Sequence, residues 1–92
     1  MDFKLTKRIF KEGRSYVAHG LELDVSSCGG SKAKALKNLK EAVNLFLEEA
    51  ENMGTLEQIL QEGGYTKSKR KIASPKFIGL ERLTLPLPPA HA

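Results

Sequence analysis

The sequence predicts an α+β domain. A three-stranded antiparallel sheet is packed by one long helix and a short second helix, and a short edge strand lies near the C-terminus. Three patterns carry this. Residues 3–27 alternate apolar and polar side chains around a glycine-containing turn, the mark of half-buried strands. Residues 31–54 carry apolar side chains at three- and four-residue spacing between a serine and a glycine, the mark of a capped amphipathic helix. Leu83, Leu85 and Leu87 alternate again, but among prolines, which confine a strand to a sheet edge.

Taken in order, Phe3, Leu5 and Ile9 share one face of a first strand over residues 3–10, interrupted by Lys7. Residues 11–14 contain Gly13 and form the turn, and residues 15–19 form the return strand of the hairpin. The third strand, residues 21–27, sets Leu21, Leu23 and Val25 against Glu22, Asp24 and Ser26. Gly29 and Gly30 break the sheet, and Ser31 caps the long helix by accepting a bond from an orphan backbone N–H. Its core stripe is Ala35, Leu36, Leu39, Ala42, Val43, Phe46, Leu47 and Ala50. At ~1.5 Å per residue this helix runs to roughly 30 Å, enough to cross a small sheet. Gly54 stops it. Thr55 and Gln58 have capping-box spacing for a second helix carrying Leu56, Ile59 and Leu60, which Gly63 and Gly64 end. The domain thus spans residues 1–65, followed by a polar linker at 66–77 and a strand-like oligomerisation tail at 78–92.

Charge divides along the same boundary. The net +4 comprises −1 over residues 1–65 (9 Lys/Arg against 10 Asp/Glu) and +5 over residues 66–92 (6 against 1). A basic tail on a near-neutral domain suits an acidic partner, nucleic acid included, or serves as a solubilising linker. A second basic feature is local. Helices favour acidic residues in their first turn, yet Lys32, Lys34, Lys37 and Lys40 crowd the start of this one and Glu48, Glu49 and Glu51 its end. An anion held at the helix N-terminus would favour that arrangement, and lysines on a wet helix face also satisfy it. Lys32, Lys34, Lys67, Lys69, Arg70 and Lys71 are therefore the candidate nucleic-acid contacts.

A catalytic reading lacks the residues. His19 is the one histidine outside the terminal tail, and Ser26, Ser27 and Cys28 adjoin without a nucleophile-elbow signature. Cys28 beside a helix N-terminus suggests some reactivity, or simply a small turn residue. Glu22 and Asp24 share a strand face but have no third ligand, so no metal and no cofactor is expected. One cysteine forms no intrachain disulfide, residues 1–4 hold no apolar leader, and no apolar run reaches membrane-spanning length. A cytoplasmic protein without membrane contact is expected.

The run YVAHGLELDVSSCGGSKAKALKNLKEAVNLFLEE, with the following TLEQILQEGGY, resembles the HicB-like antitoxin family over residues 3–65. That resemblance implies a pared-down ribonuclease-H-like fold without nuclease residues, association into homo-oligomers (dimers or tetramers), and neutralisation of a small basic mRNA-cleaving toxin by covering its surface. The chain departs from the family in its early helical lysines, and no helix-turn-helix pattern follows Tyr65. Two functions follow as expectations: an antitoxin-like protein-binding module, or a nucleic-acid-binding accessory protein. A chain this short has a small core, and Leu83, Leu85 and Leu87 are the expected oligomerisation contacts.

Overall fold

The computed structural model describes residues 2–91; Met1 and Ala92, the extreme residues of the first and last segments, lie outside them. The α+β order is as expected. A three-stranded antiparallel sheet is built from β1 (Lys7–Glu12), β2 (Ser15–Gly20) and β3 (Val25–Gly29), in the order β1-β2-β3. Then come α1 (Lys32–Met53) and α2 (Leu56–Glu62), and a second, two-stranded sheet of β4 (Thr66–Ser68) and β5 (Lys71–Ala73). The chain closes with a 3-10 turn, Pro89–His91.

Helix α1 lies across β2 and β3. Ala18 on β2 and Ala35 on α1 are fully buried, because two methyl side chains let helix and sheet approach closely. Leu39 and Val43 complete the core, and Leu36 and Leu47 pack partly buried against it. Every member of the expected helical stripe is buried or half-buried. Ser31 caps α1 as expected, its Oγ accepting from the Lys34 N–H at 3.1 Å. Gly29 makes the sheet-to-helix crossing tight: a Cβ there would stand 2.8 Å from the Ala35 nitrogen.

Five local expectations are corrected. The first strand begins at Lys7 rather than Phe3, because Phe3 and Leu5 turn into the core, Phe3 meeting Tyr65 edge-on at 5.5 Å. The third strand begins at Val25. Residues 21–24 form a turn in which the Glu22 carboxylate accepts from the Thr6 N–H and hydroxyl, and Asp24 adopts a left-handed φ of 53°. The Thr55–Gln58 capping box does not form. Gly54, at φ 74°, and Thr55 instead close α1 in a Schellman turn, with Gly54 N–H donating to Glu51 and Thr55 N–H to Ala50. The Thr55 hydroxyl donates to Ala50 as well, and the Gln58 amide to Glu62.

The basic linker holds the β4–β5 hairpin, turned at Lys69 (φ 45°) and docked by half-buried Ile72, which lines a cleft with Phe3, Leu47, Leu56 and Leu60. The tail forms no strand. Residues 74–88 run without secondary structure, and Leu83, Leu85 and Leu87 are exposed. This arm gives the chain a 16.1 Å radius of gyration and a 51 Å long axis, where a compact chain of this length has about 12 Å. Among the described residues no helix is long and apolar enough to cross a membrane.

Candidate interaction surfaces

Strand pairing dictates which side chains share a surface. Ile9, Ala18 and Ser27 face α1, so their neighbours face outward in two cross-strand rows, Arg8–His19–Ser26 and Phe10–Val17–Cys28. The second row is an uncovered apolar strip, with Phe10 38% exposed and Cys28 exposed at the β3 end. Glu12 and Asp24 line the same shallow depression of about 550 Å³.

The first row is an organised polar network. An Arg8 Nη lies 3.3 Å from His19 Nδ1, and His19 Nε2 lies 2.7 Å from Asp24 Oδ1. A guanidinium only donates, so Nδ1 accepts and Nε2 carries the proton it gives to Asp24. Both ring nitrogens are thereby engaged, and neither is free to take a proton from Ser26 or Cys28. The Arg8 guanidinium also stands 5.8 Å from the Phe10 ring centroid, tying the two rows together. Among the described residues no three His, Cys, Asp or Glu side chains gather as a metal group. Glu22 and Asp24, which share a face in a continuous strand, here diverge to Thr6 and His19.

The candidate cations form two clusters instead of one. Lys32 and Lys34 are exposed at the start of α1. Lys67, Lys69, Arg70 and Lys71 crowd the β4–β5 hairpin, where Lys67 Nζ lies 3.5 Å from Glu57. Ile72 holds that hairpin beside Leu47, Glu48 and Glu51, in the far half of α1. Lys34 and Glu48 are fourteen residues apart on one helix, roughly 20 Å. No single basic surface results.

Two features of the opposite flank escape sequence reasoning. An apolar groove of about 530 Å³ opens between α1 and the segment leading into β1; Phe3, Leu5, Leu36 and Val43 line it, with Lys7 and Lys40. At the end of the compact unit the buried Tyr65 hydroxyl donates to the Lys4 carbonyl. Burial, reinforced by the nearby Glu22 carboxylate, pushes the Tyr65 phenol up to about 12. The Arg8–His19–Asp24 network was equally hidden, since it depends on a left-handed turn that brings Asp24 back over β2. No family model, curated protein or solved structure matches this chain.

Proposed function

We propose that this chain is a non-catalytic, HicB-like binding module that acts in the cytoplasm by covering a small, basic, mRNA-cleaving toxin. The observation that carries the reading is the uncovered outer face of the β1-β2-β3 sheet. An apolar centre, Phe10–Val17–Cys28, flanked by charged side chains is the composition of a protein-binding patch. Glu12 and Asp24 on its margin supply acidic contacts for a basic partner. The residues that resemble the family support it further: YVAHG lies in β2, SSCG ends β3, and ALKNLKEAVNLFLEE lies in α1. The test is an RNA-cleavage assay with a small basic toxin encoded beside this chain. Added protein should inhibit cleavage stoichiometrically, and Phe10→Asp should weaken the complex on the order of thirtyfold while circular dichroism shows the sheet still folded, at a melting temperature lowered by the lost cross-strand packing on Val17. Cleavage unaffected by excess protein, or a fully active Phe10→Asp variant, overturns the assignment.

A second reading rests on the β4–β5 hairpin, which concentrates Lys67, Lys69, Arg70 and Lys71 within five residues around an exposed turn. Such a tip suits sequence-indifferent contact with nucleic-acid phosphates.

A further inference from the structure

We propose that the groove between α1 and the segment leading into β1 binds one medium-chain carboxylate, its tail along an apolar floor and its head among Lys7, Lys37 and Lys40. The groove lies on the flank away from the outer sheet face, so this inference stands apart from the toxin reading. Helix α1 packs on β2 and β3 and leaves the space beside β1 open. Buried Leu39 and Val43 form the bottom of that space, and half-buried Leu5 and Leu36 rise on either side. Leu5 is held there by Gly20, where a Cβ would stand 2.7 Å from the Leu5 Cδ2. The walls are thus part of the packed domain. A volume of about 530 Å³ falls within the range of small-ligand sites.

Charge gives the groove two unlike ends. Every charged side chain that lines it is a lysine. The ion pairs among the described residues join His19 to Asp24 and Lys67 to Glu57, so Lys7, Lys37 and Lys40 are unpaired. Phe3 and Asn44 also line the next cleft, with Leu47 and Glu48, and so mark the far end. Lys37 and Lys40 lie seven and four residues before Asn44 on α1, up to roughly 10 Å from it. The opposite wall runs from Phe3 at the far end back to Lys7. Beyond Phe3, Glu48 and Glu51 repel an anionic head, so a ligand has one orientation.

A cationic end joined to an apolar floor calls for an anionic head on a single apolar tail. A hydrocarbon tail brings no polar group to a floor of leucine and valine. An extended peptide would lay backbone N–H and C=O groups on that floor, and each left unpaired there is costly. The short floor selects a medium-chain acid such as decanoate. Its carboxylate also offsets an unfavourable feature of α1, since Lys37 and Lys40 belong to the early turns, where the helix dipole opposes positive charge.

Isothermal titration calorimetry on the full chain tests this, at physiological ionic strength and with each probe below its micelle-forming concentration. Decanoate should bind at one per chain, up to about fifteenfold tighter than octanoate for two further buried methylenes. Decyltrimethylammonium should not bind. Lys37→Glu with Lys40→Glu should weaken decanoate at least about tenfold and admit decyltrimethylammonium instead. Lys32→Glu with Lys34→Glu makes the same charge change outside the groove and should bind decanoate within about twofold of the wild type. All four lysines are exposed, and unchanged circular dichroism confirms that each variant folds. No decanoate binding, equal affinity for octanoate and decanoate, or equal losses in the two double variants would overturn the proposal. Capture on phosphatidylglycerol vesicles without decanoate binding would overturn it too, by assigning the face to a membrane.

Discussion

Replacing Tyr65 by phenylalanine isolates the bond that ties the end of the compact unit to its beginning. The ring is 4% exposed and meets Phe3 edge-on, packing that phenylalanine keeps; only the hydroxyl's bond to the Lys4 carbonyl disappears. Near neutral pH the variant should be less stable by about 1 kcal/mol, the net contribution of one such bond. High pH then reverses the order. The phenol titrates near its ordinary 10.0 in the unfolded chain and at about 12 in the folded one, because burial and then Glu22 oppose the phenolate. A raised pKa stabilises the fold fully below 10, and that contribution is lost as pH rises through 12. The wild type should therefore lose up to about 2.7 kcal/mol across that window, and Tyr65→Phe should lose none of it. The two stabilities should cross near pH 11. Urea unfolding of both proteins at a series of pH values measures this, and Tyr16, present in each, cancels. A stability difference that stays constant from neutral pH to about 11.5 would refute the reasoning.

Gly29→Ala should lower the melting temperature by roughly 5–20 °C, since the new Cβ meets backbone atoms of Lys34 and Ala35 at 2.9 and 2.8 Å. Gly30→Ala, with open space around it, should melt within a few degrees of the wild type by the same calorimetry, so equal losses would place the constraint elsewhere. For the nucleic-acid reading, neutralising Lys67, Lys69, Arg70 and Lys71 together should flatten the salt dependence of duplex binding by no more than about 0.9 for each phosphate no longer paired with a cation. Unchanged affinity in fluorescence anisotropy would make the hairpin a plain connector.

The helix was legible because its signals are local. Ser31, the apolar stripe and Gly54 each act within one or two turns, and all three hold. The strand limits failed where a distant contact outweighed alternation. Phe3 and Leu5 obey the strand period, yet both pack on the core of Ala18, Leu39 and Val43, and Phe3 also meets Tyr65. Leu21, Leu23 and Val25 alternate cleanly, yet Glu22 is pulled to Thr6, sixteen residues away, and the chain turns. Thr55 illustrates a competition between neighbours: its spacing to Gln58 suits a new cap, but the preceding helix claims its N–H first. The hairpin was hidden because a single apolar residue, Ile72, docks it, and one residue has no period. For the candidate surfaces, residue types were visible while their grouping was not. Cations that look like one set fall at two ends of α1, and the polar network forms only once Asp24 folds back.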